Sequence, residues 1–324
     1  MRFVVFGAGA VGGVVAARLH QGGFPVTVIA RGAHLEAIRR DGLTLLTPAE
    51  RSVVAVTAAA TTAEVDWDDD DVVLLATKGQ DTLGALTSLR AAAGPGVPVV
   101  CVQNGVENER VALRMMDRVY GAVVMAPTAH LQPGVVESYG ADRSGEIDVG
   151  CYPEGVDDCC EQVCAALRES MFQSWPTPDV MRLKYAKLLL NLANAVGALC
   201  EPGDERDELA QRVRDEGQAV LSAAGVDFAA PEVSDITARW TQWGVRDIDG
   251  RRRAGSSTWQ SLARGTGALE TDYLNGEIVL QGRLLGVPAP VNEAICRLAE
   301  QAAREGRRPG WLRAGDVLAV AAAG

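Results

Sequence analysis

The chain has 324 residues, a formal net charge of −11, 48% hydrophobic and 23% charged residues. That length and apolar content suit one large or two medium domains with their own cores. The acidic balance argues against a nucleic-acid partner, whose binding leaves a basic footprint. No apolar run reaches the ~20 residues of a membrane span, and no signal peptide opens the chain. A cytoplasmic protein without a membrane partner is expected.

In chain order, "RFVVFG" predicts a strand and the stretch from Gly12 to Gln21 a helix. "PVTVIA" predicts a second strand, and "AHLEAIRRDG" a helix stopped by Gly42. "LTLLT" and "VVAVTAA" could pair as a hairpin. "DVVLLATK" predicts a strand entered through an acidic turn, "TLGALTSLRAAAG" a helix, and "VPVVCVQNG" a strand ending at Asn104. Strands alternating with helices imply a parallel sheet, and apolar runs such as "VVLLA" suit strands buried on both faces. After "SWPTPDV" the patterns turn helical: "MRLKYAKLLLNLANAVGALC", "DELAQRVRDEGQAVLSAAG", "EVSDITARWTQWG", "ALETDYLNGEIVLQGRLLG" and "VNEAICRLAEQAAREG". Pro176 and Pro178 mark a linker. The expected fold is α/β: a Rossmann-type parallel-sheet domain over 1–177, followed by an all-helical domain over 178–324.

Gly7, Gly9 and Gly12 form G-x-G-x-x-G between the first strand and the first helix. In that context the first glycine permits the turn, the second lets a pyrophosphate approach, and the third lets helix and strand pack. The helix N-terminus supplies N–H groups and partial positive charge. Gly7, Ala8, Gly9, Ala10, Val11 and Gly12 are therefore the predicted dinucleotide loop. Arg31 follows the second strand, where NAD-binding proteins place an acid for the ribose hydroxyls. An arginine there suits a 2′-phosphate, so NADP(H) is the expected cofactor. Lys78 and Asn104 each follow a strand, at the end where open α/β sheets bind ligands; a solvated lysine and a simple turn are the plainer accounts.

The helix "LKYAKLLLNLANAVGAL" carries Lys187, Asn191 and Asn194 at i, i+4 and i+7, on one face, with Lys184 one turn earlier. An exposed polar face is one account. The other is a stripe lining a cleft between domains, where a lysine donates a proton and two amides orient a small substrate. Glu270 is expected at the start of a helix, where a carboxylate suits the dipole. Ser256 and Ser257 could cap a helix or bind a carboxylate. Four of the seven cysteines crowd "CYPEGVDDCCEQVCAAL", but the spacing matches no zinc pattern and no metal is expected.

"GAGAVGG", Arg31, "ATKGQD", "CVQNGVENE", "KYAKLLLNLANAVGAL" and "SSTWQSLARG…LETDYLNGEIV" occur in this order. With them the chain resembles the ketopantoate reductase (2-dehydropantoate 2-reductase) family over nearly its whole length. The resemblance implies a Rossmann domain joined to a helical domain, and reduction of a small 2-keto acid, 2-dehydropantoate to pantoate, with NADPH. It implies that residues 7–12 hold the pyrophosphate, Arg31 the 2′-phosphate, and that Lys78, Asn104 and Glu270 belong to the cofactor site. It makes Lys187 the catalytic proton donor, and Asn104, Lys187, Asn191, Asn194 and Ser257 the substrate-binding residues. Asn194 stands one position before the family's second amide, a place taken here by Ala195. Another 2-keto acid, an imine, or non-catalytic sensing of NADP(H) are the alternatives. The oligomeric state is open, a homodimer included.

Overall fold

A computed structural model describes residues 1–229, 244–265, 267 and 269–323. The helix expected for "EVSDITARWTQWG" lies outside these residues except for Gly244. The chain divides into two compact units, Met1–Lys184 with Pro231–Arg253 and Tyr185–Ala230 with Ala254–Gly324.

The first unit is built on an eight-stranded sheet. Its strands are β1 (Arg2–Phe6), β2 (Val26–Ile29), β5 (Thr57–Ala59), β6 (Asp71–Leu75), β7 (Val99–Cys101), β8 (Val119–Met125), β11 (Gly145–Cys151) and β12 (Phe172–Gln173), in the order β12-β11-β8-β7-β6-β1-β2-β5. All neighbours are parallel except β8 and β11, which run antiparallel. Every residue of β6 and β7 is buried, as the apolar runs predict for central strands. Among the described residues this unit also carries helices α1 (Ala10–Gln21), α2 (Gly32–Asp41), α3 (Thr82–Ala93), α4 (Asn108–Leu113) and α5 (Asp158–Glu169). Two separate apolar clusters, one around Phe3, Val5 and Leu19 and one around Val4, Leu75 and Leu86, pack on opposite faces of the β1 region. Alternation along β1 dictates that split.

A second, four-stranded sheet joins β3 (Leu43–Leu46), β4 (Arg51–Val54), β9 (Thr128–Gln132) and β10 (Val135–Ser138), in the order β4-β3-β10-β9. The expected hairpin is thus half right. "LTLL" pairs antiparallel with "RSVV", while "TAA" joins the large sheet beside β2.

The second unit is helical. It holds α6 (Val180–Asn191) from Tyr185 onward, then α7 (Ala193–Leu199), α8 (Asp204–Ala223), α9 (Ser257–Ala263), α10 (Asn275–Leu285), α11 (Pro290–Arg304) and α12 (Ala314–Ala323). The single long helix expected from Met181 to Cys200 breaks at Leu192 into α6 and α7. The fully buried Asn275 donates through Nδ2 to Leu192 O at 3.1 Å and to Asn292 Oδ1 at 3.0 Å. Asn292 passes the network on to Val213 O and Glu216, and Glu216 accepts from the N–H groups of Val291 and Asn292. A carboxylate there satisfies free donors at the N-terminus of α11 and suits its dipole.

All seven cysteines are free thiols. Cys151 and Cys160 lie 3.8 Å apart, near Asp157. Asp157 caps α5 by accepting from Cys160 N at 2.9 Å, and it accepts the Tyr120 hydroxyl at 2.8 Å. Burial pushes the thiols up, Cys200 to about 11. A raised thiol pKa keeps the unreactive protonated form. Cys101, Cys159, Cys160, Cys164 and Cys200, all buried, are therefore expected to resist iodoacetamide in the folded protein at mildly alkaline pH. All seven should react in denaturant, and the mass of the alkylated protein counts them.

Candidate active site

Strand register assembles the cofactor rim. Phe6 pairs with Ile29 and Leu75, and Leu75 with Cys101, so four strands end in one row. The next residues of each strand are Gly7, Ala30–Arg31, Ala76–Lys78 and Val102–Asn104. The row thus gathers the glycine loop, Arg31, Lys78 and Asn104 at the carboxyl edge of one sheet, where ligands of open α/β sheets bind.

Gly7 and Gly12 make the close approaches that only glycine allows. Gly7 has φ +106, and a Cβ there would sit 2.9 Å from the backbone of Ala76 and Thr77. A Cβ on Gly12 would sit 2.0 Å from Gly7 O and 2.8 Å from Ala76 Cβ. Gly9, the N-cap of α1, has nothing within 4 Å of where its Cβ would be. The first and third glycines let chain segments touch, and the second leaves open space. The first turn of α1 carries no acid to repel a phosphate. This is a cradle that fits a dinucleotide pyrophosphate.

Arg31 is the N-cap of α2. Its side chain is 85% exposed and lies 3.1 Å from Asp81 Oδ2. An exposed pair of this kind is worth little and leaves the guanidinium available to a stronger anion. Lys78 and Asn104 are half-buried. Their loops are tied by polar side chains that the sequence did not single out. Gln103 Nε2 donates to Thr82 Oγ1 at 2.7 Å and to Thr77 Oγ1 at 3.2 Å. Thr82 donates to Asn108 Oδ1 at 2.8 Å, and Asn108 Nδ2 donates to Asn104 O at 2.9 Å.

Lys184 closes this network from α6. Its Nζ donates to Gln103 O at 3.0 Å and pairs with Glu109 Oε1 at 2.5 Å. Both side chains are buried, at 3% and 0% exposure. Burial pushes the Glu109 carboxyl up against the opposing pull of Lys184. The position of Lys184 one turn before Lys187 gives no hint of Glu109, 75 residues away.

In the helical unit, Lys187 is 9% exposed, so an open solvated face does not describe it. Asn191 and Asn194 are half-buried, and Asn194 Nδ2 donates to Asn191 Oδ1 at 3.2 Å across the break at Leu192. Ser256 caps α9, accepting from Trp259 N at 3.2 Å and donating to Asn194 O at 2.9 Å. Its hydroxyl is spent on structure, which leaves the half-buried Ser257 beside it as the substrate candidate. Glu270 does not start an α-helix as expected. It precedes a 3₁₀ turn over Thr271–Tyr273, and α10 begins only at Asn275. Glu270 instead acts electrostatically on the half-buried Arg264. A hollow of about 530 Å³ in the first unit, against Glu50, Arg51, Glu137 and Arg251, contains none of the predicted residues.

Residues 3–154 match the family model "Ketopantoate reductase PanE/ApbA", and residues 179–303 match "Ketopantoate reductase PanE/ApbA C terminal". The chain belongs to the ketopantoate reductase family. Family members are oxidoreductases acting on a CH–OH/C=O group. The chain is 28% identical to a 2-dehydropantoate 2-reductase of Pyrococcus horikoshii over 308 residues, 93% of this chain and 97% of the relative. Among solved structures it resembles a PanE/ApbA family ketopantoate reductase from Ralstonia eutropha JMP134 at 30% identity, TM-score 0.79, covering 94% of this chain and 99% of that one. A D-mandelate dehydrogenase solved with NADH and anilino(oxo)acetate shares the fold at 20% identity, TM-score 0.79, over 94% of this chain and 99% of that one.

The buried pair gives a stability test. Lys184→Met leaves Glu109 buried without its partner, and this should cost about 3–5 kcal/mol in urea denaturation. The double variant Lys184→Met/Glu109→Met should recover most of that loss.

Proposed function

We propose that this chain is an NADPH-dependent reductase of a branched 2-keto acid, with 2-dehydropantoate, reduced to pantoate, as its substrate. The observation that carries the proposal is Lys187. It is a buried lysine one helical turn before Asn191, in a member of a family of carbonyl oxidoreductases. An ammonium held at this position can donate to a substrate carbonyl oxygen and stabilise the negative charge that develops as it becomes an alkoxide.

The bound nicotinamide supplies the hydride. The glycine loop and the N-terminus of α1 hold the pyrophosphate, Arg31 the 2′-phosphate, and Lys78, Asn104 and Glu270 complete the cofactor's contacts. Lys187 hydrogen-bonds the carbonyl oxygen through Nζ and gives up a proton to it as negative charge develops. Asn191, Asn194 and Ser257 orient the carboxylate and hydroxyl, with Asn104 contributing from its strand end. Cofactor choice rests on Arg31 rather than on the fold, because the D-mandelate dehydrogenase carries NADH on a similar one.

Lys187→Ala should lower kcat by roughly 10²–10⁴-fold, the usual yield of a positioned general acid, while the NADPH Kd stays within about twofold of wild type. Near-normal turnover would remove the assignment. Arg31→Ser should reduce the preference for NADPH over NADH by about tenfold or more, since a charge-assisted hydrogen bond contributes ~1.5–3 kcal/mol. Both are read from NADPH oxidation with 2-dehydropantoate, beside a panel of other 2-keto acids and cyclic imines. Turnover of a panel member alone would move the substrate. NADPH binding without any turnover would favour a sensor.

A further inference from the structure

His34 lies in the first turn of α2, three residues after Arg31. Its Nε2 is 2.7 Å from Ala8 O, inside the glycine loop. Its Nδ1 is 2.8 Å from Gly134 N, at the turn between β9 and β10. A backbone N–H can only donate, so Nδ1 is the acceptor. The ring proton is then on Nε2 and is donated to Ala8 O. Both ring nitrogens of a neutral imidazole are committed, one to each segment.

The far side of this contact is well anchored. Gly134 has φ +77, and a Cβ there would lie 2.8 Å from Ala37 Cβ on α2. Gly134 O accepts from Thr44 N at 2.8 Å, which ties the turn to β3. The His130 ring, from β9, packs on His34 with centroids 4.2 Å apart, and its Nδ1 is 3.0 Å from Val135 O. The small sheet also backs α1, where a Cβ on Gly13 would come 2.6 Å from Val136 Cγ1. His34 therefore bonds the glycine loop to a sheet that already supports the loop's helix.

The consequence for the loop follows from peptide geometry. In a planar trans peptide the C=O and the following N–H point in opposite directions. Fixing Ala8 O toward His34 turns the Gly9 N–H away from it. Among the described residues nothing accepts from that N–H. Gly9 is also the position with open space at its α-carbon. We propose that His34 is a positioning residue for the dinucleotide: by holding the Ala8–Gly9 peptide plane it aims the Gly9 N–H at the cofactor pyrophosphate. This rests on the cofactor reading above.

The test compares wild type, His34→Leu and His34→Gln by direct binding of two probes. NADPH engages the pyrophosphate cradle, whereas adenosine 2′-monophosphate has no pyrophosphate and reports the Arg31 end. Melting temperature is measured in parallel. The glutamine amide carries an NH₂ donor group and a carbonyl acceptor, so it can span Ala8 O and Gly134 N as the imidazole does. His34→Leu is expected to raise the NADPH Kd roughly five- to thirtyfold, the range for one or two lost neutral hydrogen bonds. It should leave adenosine 2′-monophosphate binding unchanged, and His34→Gln should restore most of the NADPH affinity. Unchanged NADPH affinity in a folded His34→Leu protein overturns the proposal. So does equal weakening of both probes, or a failure of His34→Gln to restore affinity in a protein that melts like wild type. Wild type that binds neither probe overturns the cofactor reading together with this one.

Discussion

Three backbone segments converge on Gly7. Its own chain leaves β1, the Ala76–Thr77 peptide leaves β6, and Gly12 brings the first turn of α1 against it. Neither Gly7 nor Gly12 has room for a single extra carbon. That steric constraint sets how close α1 stands to the strand ends, and so where its N-terminal N–H groups are presented. Gly9 sits in the same loop with empty space beside it. Contact at two glycines and emptiness at the third are what a loop suited to a pyrophosphate requires.

Around that point the first unit uses polar groups in place of loose loops. Gln103, Thr82 and Asn108 join the ends of β6 and β7 by hydrogen bonds, and Lys184 secures Gln103 O while paired with Glu109. Buried ion pairs contribute little net stability, but breaking one is costly, so they hold geometry better than they add free energy. Lys78 and Asn104 stand on loops fixed in this way.

The helical unit shows the same economy. Asn275 takes the carbonyl of Leu192, Asn292 extends the network to α8, and Glu216 caps α11. The break between α6 and α7, where Asn275 bonds the Leu192 carbonyl, lies between Asn191 and Asn194, the two amides on the polar stripe. Ser256 holds Asn194 O from α9. The placement of these amides therefore depends on elements far from them in sequence, and not only on helical spacing.

The sequence by itself determined what is local and periodic. The glycine spacing between a strand and a helix, Arg31 after the second strand, the central apolar strands, and the i, i+4 spacing of Lys187 and Asn191 were all legible, because each is written within a few residues. Only the tertiary structure decided the rest. The Lys184–Glu109 pair, the His34 link to Gly134 and the Asn275 bond to Leu192 O join residues 75, 100 and 83 positions apart. Each is a single polar contact, which leaves no periodic trace in either segment. The same limit explains Glu270. Its acidic side chain and the apolar run behind it read as a helix start, yet a 3₁₀ turn intervenes and α10 begins at Asn275, whose fully buried side chain is held by Leu192 O, between α6 and α7, and by Asn292 of α11. Local propensity proposes an element's limits, and buried hydrogen bonds to distant partners set them.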